Sequence, residues 1–137
     1  MTARDANAAK PVLAVLGAGS WGTALAVLTA NNGYPTLLWG HDPARMAQLA
    51  HARENSRYLP GVRFPDRLHI REDLIATAQE AAHMLLVVPS HAFRATLAAL
   101  KPHLAPAAIV AWATKGLEPA TGRLRSQVAE DVLGTGR

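Results

Sequence analysis

The 137-residue sequence contains no cysteine. This absence excludes disulfides, thiolate metal sites and a thiol nucleophile, and nothing else in the sequence requires an oxidising compartment. We therefore expect a cytoplasmic protein. Aromatic residues account for only 5% of the chain, although 50% is hydrophobic, so the core must consist mainly of Ala, Val, Leu and Ile. Such a composition is typical of helices packed on a parallel sheet.

Long apolar runs are also missing. No segment reaches the roughly 18 uninterrupted apolar residues that a membrane span needs. The N-terminus, MTARDANAAKP, lacks the apolar region of a signal peptide. We predict a disordered leader over residues 1–10 and one domain over residues 11–137, because the length fits a single domain.

The sequence is basic, but its arginines and lysines are not clustered. The net charge is +4, and 11 arginines stand against 3 lysines. A nucleic-acid-binding surface would group these cations on one face or helix, whereas here they are scattered. We predict no nucleic-acid partner and favour a small anionic ligand, because the guanidinium fork suits phosphates.

Apolar runs alternate with segments suited to helices. The interval from Glu54 to Arg71 is interpreted as a surface loop with a short strand near Leu68 to Ile70. Strands are predicted at 12–16, 36–40, 84–88 and within 107–114, and helices at 20–32, from 43, at 72–81, 91–104 and 124–134. This alternation predicts an α/β fold, a Rossmann-type doubly wound parallel sheet with helices on both faces.

The first strand ends in the motif GAGSWG, residues 17–22. In this context Gly17 would form the tight turn, Gly19 would admit a pyrophosphate close to the backbone, and Gly22 would let the helix pack on the sheet. The alternative is a tight strand-to-helix turn without a ligand. We predict a dinucleotide-binding domain, and expect Trp21 to be covered by the cofactor, by a neighbouring domain, or by folding back onto its own loop.

The end of the second strand distinguishes between cofactors. NAD-selective sites usually carry an acidic residue about 20 residues beyond the glycines, where it binds the ribose 2′-hydroxyl. Here that position is Gly40, followed by His41 and Asp42, with Arg45 one turn later. The missing carboxylate and the basic neighbours favour NADP, with NAD tolerated. Asp42 is better explained as a helix cap.

Five motifs in this order, GAGSWGTALA, LWGHDP, NSRYLPGVRFP, VVPSHAF and WATKGLEPATGRL, closely resemble the N-terminal domain of bacterial NAD(P)-dependent glycerol-3-phosphate dehydrogenases. The similarity runs from about Val12 to Gly134. The resemblance implies hydride transfer between a nicotinamide cofactor and glycerol 3-phosphate, which gives dihydroxyacetone phosphate and serves phospholipid synthesis.

The resemblance also implies roles for individual residues. Lys115 would contact both cofactor and substrate, and it independently follows an apolar strand and precedes a glycine; the alternative is a surface lysine in a turn. The remaining implied cofactor contacts are Ser20 and Trp21 at the glycine loop, His41 at the adenosine 2′ end, Tyr58, and Pro89 and Ser90 near the nicotinamide.

The chain departs from the family in length. The resemblance implies a two-domain enzyme whose second, helical domain supplies the catalytic lysine and most of the substrate pocket. We therefore predict no catalytic residue and no metal site in this chain, and no turnover by it alone. Among His83, His91 and His103, only His91 lies at the functional edge. A bare interdomain face would promote homodimers or aggregates.

Two alternatives remain open at this stage. Another two-domain dehydrogenase, for a 3-hydroxyacyl-CoA or a sugar acid phosphate, would share the glycine motif but usually has an acid after the second strand and lacks ATKGLE. A stand-alone dinucleotide-sensing module would explain the length. It has no evident need for Trp21, VVPSH or WATKG.

Overall fold

The computed structural model describes residues 9–135. Residues 1–8, most of the predicted leader, lie outside the described residues. Lys10 is described, and its ammonium donates a hydrogen bond to the carbonyl of Asn32 at 2.7 Å and lies 4.6 Å from the centroid of the Tyr34 ring. The last residue of the predicted leader is thus packed against the end of the first helix.

A five-stranded, fully parallel sheet forms the centre of the fold. Its strand order is β5-β2-β1-β6-β7. The strands are β1 (Leu13–Leu16), β2 (Thr36–Trp39), β5 (Leu68–Arg71), β6 (His83–Leu86) and β7 (Ile109–Trp112). The order runs outward from β1 in both directions, which is the doubly wound arrangement that the sequence predicts.

Helices cover both faces of the sheet and enclose two hydrophobic cores. One core contains Leu16, Phe93 and Leu97, and the other contains Val15, Leu38 and Met46. Neighbours on β1 point to opposite faces because side chains alternate along a strand. The helices are α1 (Ser20–Asn31), α2 (Pro43–Ala52), α3 (Leu74–Glu80), α4 (Phe93–Leu100) and α5 (Arg125–Leu133).

Local side chains and a glycine define the ends of three helices. Asp42 and Asp73 cap α2 and α3, since their carboxylates accept hydrogen bonds from the backbone amides of Arg45 and Ala76 at 3.3 and 2.8 Å. Gly33 follows α1 with φ +89°, a conformation that favours glycine. The interpretation of Asp42 as a cap is confirmed.

The interpretation of residues 54–71 as a loop with one short strand was incomplete. Besides β5, this interval contains an antiparallel hairpin of β3 (Glu54–Asn55) and β4 (Leu59–Arg63). The strands are short and Pro60 and Gly61 interrupt the apolar alternation, so the usual strand pattern is absent. The hairpin matters because it carries Asn55 and the residues that follow it to the site.

Several element boundaries also differ from the prediction, most clearly those of β6 and of the helix that follows it. Strand β6 begins at His83, one residue early, and ends at Leu86. The predicted helix over 91–104 is regular only through α4, and is flanked by 3-10 turns at Ser90–Ala92 and Lys101–His103. Pro102 lacks the amide that a continuing helix would use. No helix among residues 9–135 is long and apolar enough to cross a membrane.

Candidate functional site

The glycine loop joins β1 to α1 and has one closed side and one open side. Gly17 has φ +125°, and a Cβ there would lie 2.7 Å from the carbonyl carbon of Val87. A Cβ on Gly22 would lie 1.8 Å from the carbonyl oxygen of Gly17. At Gly19 no atom would lie within 4 Å of an added Cβ. The first and third glycines therefore serve the fold, and the middle one borders free space.

The N-terminus of α1 is suited to an anion. Gly19 is its N-cap and offers no side-chain acceptor, and the first turn contains no acidic residue. The terminal amides of the helix carry partial positive charge and normally need an acceptor. The exposed Ser20 begins the helix at this point. A phosphate group placed beside Gly19 would supply the missing acceptor.

A first cleft of about 590 Å³ opens at this loop. It lies at the carboxyl ends of the strands, where ligands bind in sheets of this type. Its size is within the range of about 300–1,000 Å³ that is usual for small-molecule sites. The cleft brings together the predicted site residues Gly17, Gly19, His41, Tyr58 and Pro89, and also His91, together with Arg45 and Arg57.

A second cavity of about 480 Å³ adjoins the first. The two share Val87, Val88 and Pro89 as a common wall. The second cavity contains the predicted residues Trp21, Ser90 and Lys115. Two predicted site residues line neither space: Ser20 is exposed beside the loop, and Gly22 is buried against Gly17.

Asn55 is a site residue that the sequence analysis did not single out. Its side chain is fully buried, and its amide nitrogen donates hydrogen bonds to the Ala18 carbonyl at 3.2 Å and to Thr23 Oγ1 at 2.9 Å. Its Oδ1 accepts from Arg45 Nη2 at 2.8 Å and from the amide of Tyr58 at 3.4 Å. Asn55 thus connects the hairpin to the glycine loop. The motif NSRYLPG begins with Asn55, but Tyr58 was its only residue predicted to contact the cofactor.

The segment that carries Lys115 is held by buried polar contacts. Thr114 Oγ1 donates to the carbonyl of Val88 at 2.8 Å, which ties the end of β7 to the residues after β6. Glu118 accepts two hydrogen bonds from Arg94, at 2.8 and 2.9 Å, and a third from Thr121 at 2.6 Å. These bonds lower the pKa of Glu118 to about 2, with Arg94 as the main cause. The motif WATKGLEPATGRL contains Glu118, but its partner Arg94 lies 24 positions earlier, so the sequence pattern did not predict this pair.

The three histidines considered as acid/base candidates have different surroundings. His83 Nδ1 accepts a hydrogen bond from the amide of Ile109 at 3.1 Å, so it joins β6 to β7. His103 is half-buried in the 3-10 turn that follows α4 along the chain. His91 is exposed and lines the first cleft. Within residues 9–135, no group of three or more His, Asp or Glu side chains could hold a metal ion.

The described residues fit a dinucleotide. The loop leaves open space at Gly19, the helix amides lack a side-chain acceptor, and the adjoining cleft extends to the end of β2 at Gly40. Gly40 cannot carry a side chain without displacing its neighbours, because a Cβ would lie 2.7 Å from Met46 Sδ. The backbone therefore forms that end of the cleft wall, with His41 beside it.

The sequence is similar to those of known glycerol-3-phosphate dehydrogenases. The family model described as NAD-dependent glycerol-3-phosphate dehydrogenase N-terminus matches residues 12–137. The chain is 57% identical over 122 residues to a glycerol-3-phosphate dehydrogenase [NAD(P)+] of Aeromonas salmonicida, covering 89% of this chain and 36% of the relative. It is 51% identical over 123 residues to the Pasteurella multocida enzyme of the same name, covering 90% and 36%. The chain thus spans about a third of the length of these relatives.

Solved structures show the same relationship. The chain superposes on the crystal structure of glycerol-3-phosphate dehydrogenase from Coxiella burnetii with a TM-score of 0.87 and 38% identity, covering 93% of this chain and 39% of that one. The yeast enzyme gives a TM-score of 0.75 at 25% identity, covering 93% and 40%. Arogenate dehydrogenase of Synechocystis, at 22% identity and a TM-score of 0.62, shares the fold alone. The chain belongs to the family of N-terminal, NAD-binding domains of NAD(P)-dependent glycerol-3-phosphate dehydrogenases.

Proposed function

We propose that this chain is the cofactor-binding part of an oxidoreductase that interconverts sn-glycerol 3-phosphate and dihydroxyacetone phosphate. One observation carries the proposal. The cleft that starts at the uncapped amides of α1 shares its wall at Pro89 with the cavity that contains Lys115. A dinucleotide bound along the first cleft would bring its far end to this wall, next to a cation suited to a phosphorylated substrate.

The nicotinamide, when bound, supplies the hydride acceptor or donor for the carbinol carbon. The chain's own residues would bind and orient the cofactor and the substrate. The amides of α1 would hold the pyrophosphate, and the Lys115 ammonium would donate to the substrate. The other cofactor contacts that we propose are Gly17, Gly19, Ser20, Trp21, His41, Tyr58, Pro89 and Ser90, whereas Gly22 serves the packing of the loop.

We propose that the residues of this chain bind the dinucleotide and orient it. Its resemblance to the family assigns the acid/base lysine to the second domain, beyond the matched residues. The proposed context is the bacterial cytoplasm and the synthesis of the phospholipid backbone. The exposed apolar side chains near β7 support a further proposal, that the chain alone forms homodimers.

The cofactor role is tested by replacing the glycine that borders free space. Gly19→Ala adds a methyl group where the fold has room, so the melting temperature should stay within about 3 °C of the parent. Calorimetric titration should show that NADPH and NADH both bind at least about tenfold more weakly. Gly22→Ala is the matched control, since its Cβ meets the Gly17 carbonyl and should lower the melting temperature by about 10 °C or more. Unchanged binding by Gly19→Ala would contradict the proposed pyrophosphate site.

The substrate role is tested at Lys115. Dihydroxyacetone phosphate should bind to the chain saturated with NADPH, and Lys115→Met should weaken this binding at least about tenfold, because a charge-assisted contact to phosphate is lost. Lys101→Met removes the same charge from an exposed 3-10 turn and should have little effect. Tight cofactor binding with no substrate binding would contradict the proposed role of Lys115.

A further inference from the structure

The arginine that begins α5 is buried and makes a single hydrogen bond through its guanidinium. Arg125 is 5% exposed, and its Cζ lies 5.2 Å from the centroid of the Phe93 ring. Its Nη2 donates to the carbonyl of Leu117 at 2.9 Å. The other two nitrogens, Nε and Nη1, are buried and have no hydrogen-bond partner among residues 9–135. The one bond that this guanidinium makes therefore ends two positions after Lys115.

Burying a cation in this way has a cost in stability. A charge taken out of water is unfavourable unless ion pairs and hydrogen bonds replace the lost hydration. None of the ion pairs in the described part of the chain includes Arg125. The pKa of Glu118 is lowered mainly by the hydrogen bond from Arg94, and the charge of Arg125 contributes least. An apolar side chain would suit this interior position at least as well, so stability alone does not account for an arginine here.

The turn that carries Lys115 depends on its neighbours for a fixed position. Within residues 9–135, no hydrogen bond involves Lys115 or Gly116. Gly116 has φ +81° with free space around it, so side-chain packing does not support the backbone there. Before the lysine, Thr114 is held by a hydrogen bond to the chain just after β6. After the lysine, the Leu117 side chain is 53% exposed, and its carbonyl is held by the buried guanidinium.

We propose that Arg125 is a positioning residue, which fixes the turn that carries Lys115 through the Leu117 carbonyl and thereby strengthens the binding of the phosphorylated substrate. Arg125 is not among the residues that line the second cavity, whereas Lys115 is. A lysine on a loose turn loses affinity because binding must first order the turn, and a turn that is already held avoids this cost. The inference rests on the proposed role of Lys115 in substrate binding and adds the residue that sets its position.

The proposal separates binding from stability, so Arg125→Met in the full chain should affect the two differently. Its melting temperature should not fall more than about 3 °C below that of the parent, because removal of a poorly paired buried charge offsets the lost hydrogen bond. Calorimetric titration should show that dihydroxyacetone phosphate binds the NADPH-saturated variant at least about tenfold more weakly, while the affinity for NADPH changes less than about threefold. The amide of Glu118, which donates to the Arg123 carbonyl at 2.9 Å, should exchange its hydrogen at least about tenfold faster.

Two further variants distinguish the hydrogen bond from the charge. Arg125→Lys keeps a side-chain donor, and one donor is enough for the Leu117 carbonyl, so the affinity for dihydroxyacetone phosphate should return to within about threefold of the parent. Arg123→Met is the matched control, since it removes the same charge two positions earlier, from an exposed pair with Asp131. It should leave the affinity for dihydroxyacetone phosphate unchanged.

Three outcomes would overturn the inference. The first is unchanged substrate affinity in Arg125→Met when Lys115→Met loses it, which would leave the proposed function standing. The second is a fall in melting temperature of about 10 °C or more with equal losses of both affinities, since Arg125 would then only support the fold. The third is absence of substrate binding by the parent, which would contradict the proposed role of Lys115 and this inference together.

Discussion

At the scale of single residues, Asn55 connects four parts of the site. It is a buried side chain whose four hydrogen bonds reach the glycine loop, α1, α2 and the turn that carries Tyr58. The bond to Thr23 is buried and the other three are partly buried, so a lost bond leaves a polar group with little access to water. This makes Asn55 a positioning residue for the loop, and not a contact to the ligand.

Replacing Asn55 with alanine should therefore reduce the free energy of unfolding by about 3 kcal/mol, because each buried group left without a partner costs about 1–3 kcal/mol. Chemical denaturation measures this change. Asn31→Ala, at the exposed end of α1, is the control and should stay within about 0.5 kcal/mol of the parent. An equally small change at Asn55 would show that the hydrogen bonds seen around it contribute little.

At the scale of elements, the segment from Lys115 to Gly122 depends on contacts with α4. Glu118 is almost fully buried and receives hydrogen bonds from Arg94 on α4 and from Thr121 in the segment itself. Asp131 on α5 joins the same network through Arg94 and Arg123. Lys115 reaches the second cavity from a position between two residues that are held by hydrogen bonds, Thr114 and Glu118.

The Arg94–Glu118 pair should give the stability a characteristic pH dependence. The pKa of Glu118 is lowered from 4.5 to about 2 in the folded chain, so its stabilising contribution is complete above about pH 4.5 and is lost as the pH falls toward 2. Glu118→Gln should lower the melting temperature at pH 7 and flatten its fall between pH 4.5 and 2. Thermal melting monitored by circular dichroism across this range measures both effects.

The Arg71–Glu80 pair provides the matched control for this experiment. It also forms two hydrogen bonds, and the pKa of Glu80 is likewise lowered by Arg71, but the Glu80 side chain is 47% exposed whereas that of Glu118 is 8% exposed. Glu80→Gln should therefore change the melting temperature less, since solvent screens exposed pairs. If the two variants had the same pH profile, burial of Glu118 would not be the source of its larger effect.

At the scale of the whole molecule, apolar side chains are exposed near one edge of the sheet. In the described part of the chain, β7 pairs with β6 on one side only. Ile109 on β7 is 61% exposed, and Trp21 on α1 is 54% exposed. Trp112 is partly covered by Phe93 in an edge-to-face contact at 5.7 Å. An unpaired strand edge with apolar side chains promotes association between chains.

The proposed homodimer should therefore weaken when charge is placed on this edge. Sedimentation velocity of the parent should show a concentration-dependent dimer, and Ile109→Lys should shift the equilibrium toward monomer at least about tenfold, since edge lysines oppose strand pairing. Ile75→Lys places the same charge at an exposed position on α3 and should leave the equilibrium unchanged. A parent that stays monomeric at high concentration would contradict the proposal.

The sequence by itself determined the features that depend on neighbouring residues. The turn at Gly17 needs a positive φ, Gly22 must lack a side chain, and Asp42 caps the helix that starts one residue later. Each of these is a steric or hydrogen-bonding requirement within a few residues. The alternation of apolar runs likewise indicated the doubly wound sheet, because β strands and helices have different side-chain periods.

Only the tertiary structure decided which distant residues meet. Asn55 reaches the Ala18 carbonyl across 37 positions, and Arg94 reaches Glu118 across 24. The hairpin that delivers Asn55, Arg57 and Tyr58 was missed because its strands are too short to show a period. A buried polar contact has no periodic signature along the chain, since its partner is selected by how the sheet and helices pack.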